Sequence, residues 1–290
     1  MTKSLHAEFH ADDATQITAK VLFNEQIARE TFRLRIECPK IAHAILPGQF
    51  VMIRLSNHDD PLIGRPLALY ETVVETKEAG AAIEVVYLVK GKFTSRLAEL
   101  TQDQFVDVWG PLGNGFLPEP TDHLVMVAGG IGYTPFLALA QEYLNHKQYG
   151  KPLRNVSKSQ KVTLCYGARS AEYFAGIKAF NHLGVDLHLS TDDGTRGHHG
   201  LVTDLLQNVL RETSLPHRIV CCGPEPMMKA VAEIAKEREI SCQVSLETPM
   251  ACGIGICFTC VTKVQEDGGG WDYKRTCVEG PVFDAPQIVW

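Results

Sequence analysis

The sequence predicts a mixed β and α/β protein: an antiparallel β-barrel, then a parallel α/β domain, then a small cysteine-rich segment. Three observations predict it. The first third is a series of short apolar runs parted by turn formers. From residue 123 onward, apolar runs alternate with helical stretches. Four of the nine cysteines fall in the last forty residues.

The barrel strands are read at 17–24, 31–37, 50–55, 67–76 and 82–89, each rich in Val, Ile, Leu and Phe. Turn formers such as Pro47-Gly48 and Ala79-Gly80 separate several of them. Short strands at such spacing, with turns between, suit a small closed barrel. A short helix is predicted over 94–100, with Thr94 or Ser95 as its N-cap. The stiff stretch Pro118-Glu119-Pro120 marks the boundary. Beyond it, strands at 123–128, 162–166, 186–190 and 218–222 alternate with helices at 135–145, 171–183, 202–210 and 225–238, and a further short strand begins at Val244. That alternation predicts a parallel sheet covered by helices. The units are therefore 15–118, 119–240 and 241–290.

Composition excludes several classes. With 45% hydrophobic and 21% charged residues the chain is an ordinary globular sequence of 290 residues. A net charge of −6 gives no electrostatic footprint for nucleic acid or an anionic membrane. No apolar run reaches the ~18 residues of a membrane span, and Glu8, Asp12 and Asp13 interrupt any leader-like stretch. The expected location is the cytoplasm. There cysteines are reduced, buried or metal-bound rather than disulfide-linked.

The sharpest pattern is Cys252-Gly-Ile-Gly-Ile-Cys257-Phe-Thr-Cys260, with Cys277 farther on. This C-x4-C-x2-C spacing with a distant fourth cysteine is that of plant-type [2Fe–2S] ligation. Two irons need four thiolates converging on a small volume. Gly253 and Gly255 let the backbone wrap closely enough to aim N–H groups at the sulfurs. A zinc site is the alternative, although four-cysteine zinc sites favour paired short spacings. Cys38, Cys165, Cys221 and Cys242 read as small buried hydrophobes. His198-His199 reads as a loop rather than a metal site, and Met227-Met228 as the start of a core-facing helix.

Val127-Ala-Gly-Gly-Ile-Gly-Tyr-Thr-Pro135 joins a strand to a helix. Glycines at Gly129, Gly130 and Gly132 would let backbone approach a pyrophosphate. Cys222-Gly223-Pro224 lies at the corresponding turn of the last strand–helix pair, and strand carboxyl ends are where α/β sheets bind ligands. Arg65-Pro66-Leu67-Ala68, with Thr94 and Ser95, is a further anion-binding candidate.

Taken in order, these motifs resemble the ferredoxin–NADP reductase superfamily. With the cysteine tail they resemble its electron-transfer subunits of NAD-linked dihydroorotate dehydrogenases. The stretches 110–116, 191–194, 250–257 and 280–283 carry the likeness most closely. The resemblance implies FAD against the barrel. Arg65 would bind its pyrophosphate, with Pro66, Leu67 and Ala68 beside the isoalloxazine. Val86, Tyr87 and Leu88 would line another edge, and Phe93 and Thr94 would meet the phosphates. Gly130, Thr134, Cys222 and Gly223 would surround the nicotinamide of NAD(H). Asp192 would favour NAD(H) by accepting from ribose hydroxyls and repelling a 2′-phosphate. Cys252, Cys257, Cys260 and Cys277 would hold the cluster. The implied partner is an FMN-containing dihydroorotate dehydrogenase catalytic subunit, two of each chain forming a heterotetramer. Two departures stand out: Leu67 and Ala68 replace the superfamily's usual Tyr and Ser, and Phe93 replaces Gly. The alternatives are a related NAD(P)H:ferredoxin-type or sulfide-linked reductase subunit, or a zinc-stabilised interaction module.

Overall fold

The computed structural model describes residues 11, 13–73, 81–212, 217–266 and 268–290. The turn expected at Ala79-Gly80 and the end of the strand expected at Thr76 lie outside them. So do Glu8 and Asp12.

Six strands close the barrel: β1 (Thr15–Ala28), β2 (Thr31–Glu37), β3 (Phe50–Leu55), β4 (Arg65–Val73), β5 (Ala82–Leu88) and β6 (Phe105–Leu112). Their order is β1-β2-β5-β4-β3-β6, with every neighbouring pair antiparallel. Alternate residues turn inward, so Val21, Leu34, Ile36, Val51, Ile53, Leu69, Val85, Val106 and Val108 share one core. The sequence reading lacked β6. Its inward Val106 and Val108 alternate with Asp107 and Trp109, so no continuous apolar run announces it. A short helix α1 (Pro39–Ala44) was also unforeseen. Helix α2 (Lys92–Ala98) begins earlier than expected, and its N-cap is Gly91 rather than Thr94 or Ser95. Thr94 sits one turn in, where its hydroxyl accepts from the N–H groups of Lys90 and Gly91.

After the barrel come β7 (His123–Gly129), α3 (Phe136–Tyr143), β8 (Lys161–Ala168), α4 (Ile177–Leu183), β9 (Asp186–Thr191), β10 (His198–His199), α5 (Val202–Glu212), β11 (His217–Cys222), α6 (Glu225–Glu237) and β12 (Ser241–Ser245). The tail forms a hairpin of β13 (Val261–Gln265) and β14 (Trp271–Arg275), then β15 (Val282–Asp284). The sheet order is β10-β9-β8-β7-β11-β12-β15. Its first six strands are parallel, as the alternation predicts; β15 adds an antiparallel edge. The tail thus returns to the sheet.

Two helices differ from expectation. A 3₁₀ turn over Gly130–Tyr133 precedes α3, so the helix starts after Pro135. The helix expected over 171–183 is broken, with a 3₁₀ turn at Ala171–Tyr173 and α4 starting only at Ile177. Gly176 breaks it: its φ is 73°, and a Cβ there would lie 2.8 Å from the Tyr133 ring.

Barrel and sheet share a core. Tyr70, Val86 and Phe116 pack with Tyr133, Phe136 and Tyr166. Across the same seam Glu71 accepts from Tyr149 Oη (3.0 Å) and Lys147 Nζ (2.6 Å). Arg154 donates to the Phe116 carbonyl at 2.7 Å and pairs with Glu142.

Asp107 fastens three barrel strands. Burial alone pushes its carboxyl up, but hydrogen bonds from Arg54, Ser56 and Thr18 outweigh this and hold it below the usual carboxylate range. A depressed folded pKa contributes stability above the unfolded value and loses it as pH falls through the folded one. Asp107→Asn is therefore expected to lower unfolding free energy at pH 7 by about 2 kcal/mol. The gap to wild type closes as pH drops below about 4. Urea melts across pH 3 to 8 check this, and a gap constant with pH would contradict it.

Candidate functional site

From β7 the chain steps outward through β8, β9 and β10, then returns to β11 and steps the other way to β12. The strand order therefore reverses between β7 and β11, and open α/β sheets bind ligands at such a switch point. The turns leaving these two strands are the two glycine motifs, packed backbone against backbone. A Cβ on Gly132 would lie 2.2 Å from the Cys222 carbonyl oxygen. A Cβ on Gly223, where φ is 155°, would lie 2.9 Å from Gly129 N. Gly130 is different: its φ is 54° and a Cβ would meet nothing within 4 Å, so it faces open space. The crevice thus has a floor of main chain, with no side chain at these glycines to keep a phosphate or a flat ring away. Thr134, which closes the Gly130–Tyr133 turn, is buried.

Cys222 ends β11 beside Ala128 and Ser245. Burial, followed by the charge of Glu247, pushes its thiol up to about 12, so it is neutral at pH 7. It is thus a compact wall of the crevice rather than a thiolate nucleophile. Cys221 points to the opposite face and packs with Cys165 and Cys242.

The Asp192-Asp193 pair divides its labour. Asp193 accepts from Thr195 N (3.0 Å) and Thr195 Oγ1 (2.6 Å), and these bonds hold its carboxyl low. Asp193 is the turn former. Asp192 is exposed, and among the described residues its carboxylate makes no hydrogen bond. The loop leaves it available to an outside donor. His198 pairs with Asp204 at 3.2 Å and lies on the short exposed strand β10, where a loop was expected.

Arg65 opens β4 with its side chain exposed. Its Nη1 donates to the Ile63 and Gly64 carbonyls at 2.9 and 3.1 Å, and the guanidinium stands 5.7 Å from the Phe93 ring centroid. No carboxylate neutralises it among the described residues, so its remaining donors suit an anion such as a pyrophosphate. Pro66, Leu67 and Ala68 are half-buried on β4, opposite Met52, Val51 and Phe50. Val86 points into the shared core and Tyr87 into the barrel, where its hydroxyl donates to Asn24 Oδ1 at 3.0 Å. Of that trio only Leu88 offers a side chain that is not buried; Val86 and Tyr87 can present backbone alone. Thr94's hydroxyl is engaged in closing its own turn.

The cysteine loop turns on Gly253 (φ 74°) and Gly255 (φ 82°). The Ile254 N–H points at Cys252 Sγ (3.4 Å), and the Thr259 hydroxyl donates to Cys257 Sγ (3.2 Å). Hydrogen bonding from Thr259, with Cys252 nearby, brings the Cys257 thiol down to about 6. Cys260 and Cys277 face each other: their mutual hydrogen bond lowers Cys260 to about 6 and raises Cys277. The four sulfurs therefore fall into two pairs, 252/257 and 260/277. Among the described residues no three His, Cys, Asp or Glu side chains converge on a single ion position. A two-iron cluster asks each iron for only two protein thiolates, and the pairs fit that demand. Thr276 brings the second pair together, its N–H and hydroxyl both donating to the Cys260 carbonyl at 2.9 Å.

The loop is docked on the barrel wall. Phe50, Met52 and Leu112 share a small core with Met250, Cys260 and Cys277. Trp109 Nε1 donates to the Cys252 carbonyl at 2.8 Å. Asn114 grips the far end of the tail: Nδ2 donates to the Glu279 and Val282 carbonyls (3.0 and 2.7 Å) and Oδ1 accepts from Val282 N (3.1 Å). The stretches 110–116 and 280–283, remote in sequence, are thus in direct contact. No local pattern marks Trp109 or the pairing role of Asn114, and the sequence reading missed both. Ile256 and Phe258 of the loop stand 74% and 62% exposed, and Trp271 and Tyr273 of the hairpin are exposed as well.

Comparison with known proteins accounts for all three regions. Family models match in sequence order: an oxidoreductase FAD-binding domain over residues 18–116, an oxidoreductase NAD-binding domain over 126–233, and the iron-sulfur cluster binding domain of dihydroorotate dehydrogenase B over 247–289. The electron transfer subunit of dihydroorotate dehydrogenase B (NAD(+)) from Desulforamulus reducens is 34% identical over 94% of this chain and 97% of its own. That of Caldanaerobacter subterraneus subsp. tengcongensis is 32% identical over 95% and 99%. A chain of the NADH-dependent reduced ferredoxin-NADP oxidoreductase superposes with a TM-score of 0.76 at 29% identity, covering 94% of this chain and 90% of that one. These relatives match over nearly the whole of this chain and of their own, and the chain belongs to the family of dihydroorotate dehydrogenase B (NAD(+)) electron transfer subunits.

Proposed function

We propose that this chain passes electrons between NAD(H), FAD and a [2Fe–2S] cluster, and exchanges them with an FMN-containing catalytic subunit that oxidises dihydroorotate to orotate. The observation that carries this is convergence. The cysteine loop lies on β3 and β6, β3 pairs with the Arg65–Ala68 segment, and β5 packs with the turn that floors the crevice. When bound, FAD links the two-electron chemistry of a nicotinamide to the one-electron traffic of an iron–sulfur centre.

The chain's own residues bind and orient. Arg65 supplies fixed positive charge for the FAD pyrophosphate, and Phe93 supports its guanidinium. Pro66, Leu67, Ala68 and Leu88 line the ring, with Val86 and Tyr87 contributing backbone. Gly129, Gly130, Gly132, Thr134 and Gly223 admit the dinucleotide, Cys222 abuts the nicotinamide, and Asp192 reads the adenosine ribose. Cys252, Cys257, Cys260 and Cys277 hold the cluster. In this reading 15–118 is the FAD unit, 119–240 the NAD unit and 241–290 the cluster segment. The complex contains two copies of each subunit and works in the cytoplasm. The likeness to the ferredoxin-NADP oxidoreductase chain favours a second reading, in which the same sites serve another partner. Co-purification with a tagged chain separates the two: recovery of an FMN protein that oxidises dihydroorotate supports the first, and any other redox partner the second.

Three outcomes test the sites. Anaerobically purified protein is expected to be brown, and Cys252→Ser, Cys257→Ser, Cys260→Ser and Cys277→Ser each to lose iron and sulfide, whereas Cys38→Ser keeps both. Full iron in all four ligand variants would sink the assignment. Gly132→Ala is expected to cost about 2–3 kcal/mol of stability, because the new methyl meets a carbonyl. Gly130→Ala is expected to cost only about 1–2 kcal/mol, from its left-handed backbone. Thermal melts rank the two, and equal losses would contradict the close approach at Gly132. Finally, diaphorase activity is expected to favour NADH over NADPH, with Asp192→Arg shifting kcat/KM toward NADPH by roughly tenfold or more, about 1.4 kcal/mol. An unchanged ratio would remove Asp192 from the ribose site.

A further inference from the structure

Trp109 touches both loops that the proposed function requires. It lies on β6 opposite Met52 of β3, and Met52 in turn lies opposite Pro66 of β4. The row Trp109, Met52, Pro66 therefore crosses three adjacent strands on one face. That face is where the cysteine loop docks: a Cβ on Gly253 would sit 2.6 Å from Met52 Cγ. At one end of the indole, Nε1 donates to the Cys252 carbonyl at 2.8 Å. At the other end, Cη2 lies 2.8 Å from where a Cβ of Gly64 would be. Gly64 directly precedes Arg65, and its carbonyl accepts from Arg65 Nη1 at 3.1 Å. The glycine is a requirement of the contact, since any side chain there would displace the ring tip or strike the Ile53 carbonyl, also 2.8 Å away.

We propose that Trp109 is a positioning residue that couples the cysteine loop to the Arg65 loop, fixing the cluster-holding backbone relative to the flavin-holding backbone. The inference rests on the cofactor assignments above. The indole suits this task by its shape: it is a rigid plate with two rotatable bonds and a single donor at its edge. The hydrogen bond fixes the carbonyl of the first cluster cysteine, and so the orientation of the peptide that leads into Gly253. Stacking of the ring tip against Gly64 fixes the backbone carbonyl that orients the Arg65 guanidinium. A Leu or Met at 109 could fill the volume but could not satisfy the Cys252 carbonyl.

Two variants of the holoprotein separate the two ends. Replacing Trp109 by its sulfur isostere 3-benzothienylalanine keeps both rings and deletes the donor. The FAD dissociation constant is then expected to stay within about twofold of wild type, while the EPR spectrum of the reduced cluster shifts. Trp109→Leu deletes donor and ring tip together. Its cluster spectrum is expected to shift and its FAD dissociation constant to rise roughly five- to tenfold, a change of about 1 to 1.4 kcal/mol. A cluster spectrum unchanged with the isostere, or FAD affinity unchanged in Trp109→Leu, would overturn the coupling. Should Trp109→Leu fail to fold, the isostere still decides the cluster half, and Gly64→Ala decides the flavin half by raising the FAD dissociation constant from the opposite side. Wild-type protein that carries neither flavin nor cluster would overturn the cofactor assignments themselves, an outcome distinct from either failure of Trp109.

Discussion

The Asn114 side chain holds the backbone of residues 279–282 through three hydrogen bonds, its N–H adds a fourth to the Gly280 carbonyl at 2.7 Å, and the placement of the cysteines depends on that grip. The chain leaves the sheet after β12, crosses the barrel wall, and comes back as β15 alongside the strand it left. All four tail cysteines lie within this excursion. A loop of that length carries a large closure entropy if its ends are free. Its ends are not free: β15 pairs with β12, and Asn114 fastens the stretch just before it to the barrel. Gly113, at φ 76°, lets the barrel backbone press against Pro281, since a Cβ there would be 2.5 Å from the proline ring. Sheet, barrel and tail meet at this point, so distances among the three binding regions are set by covalent and hydrogen-bonded structure rather than by a flexible linker.

The same logic of close backbone approach governs the crevice. At the switch point, Gly132 lies against the Cys222 carbonyl and Gly223 against Gly129 N. Methyl groups at those places would wedge the two turns apart and lift the floor. Aromatic packing adjoins the floor: Tyr133 packs at a tilt on Tyr166 with centroids 5.0 Å apart, and Tyr166 meets Phe174 edge-on at 4.9 Å. Tyr133 follows Gly132 directly, so the core and the floor are consecutive in the chain.

The sequence made much of this legible, for reasons that differ by region. Strands 31–37 and 50–55 have the bounds expected of them, because alternation and flanking turn residues are local signals. The parallel sheet followed from the alternation of strands and helices. The cysteine pattern was readable because ligand spacing is a property of one loop. What escaped depends on distant partners. Strand β6 alternates Val106 and Val108 with Asp107, whose carboxylate is satisfied by residues from β1 and the β3 end. Gly176 breaks a helix because Tyr133, forty-three positions earlier, occupies the space a side chain would need. Thr94 looked like a cap by type, yet the cap is Gly91 and Thr94 closes the turn from inside. Trp109 and Asn114 are unremarkable in their own segments, and only tertiary contact reveals them.

Burial of the four tail cysteines is graded, and the gradient gives the site a direction. Cys260 and Cys277 are almost fully enclosed, Cys252 is half-buried, and Cys257 is exposed. The enclosed pair packs on the barrel wall against Phe50 and Met52, on the strand that pairs with Pro66 and Ala68. The exposed side is rimmed by Ile256 and Phe258, which protrude although the fold gains nothing from their exposure. Each such side chain forgoes about 1.5–3 kcal/mol that burial would contribute. Arg275 props Phe258 outward, its guanidinium 5.4 Å from the ring centroid while paired with Glu279 at 2.6 Å. A side chain held out by an ion-paired arginine is fixed there before any partner arrives. The loop is therefore apolar and pre-shaped toward solvent on one side, and closed against the barrel on the other. Under the proposed function, the closed face would belong to this chain's own flavin unit and the exposed apolar face to the partner's surface.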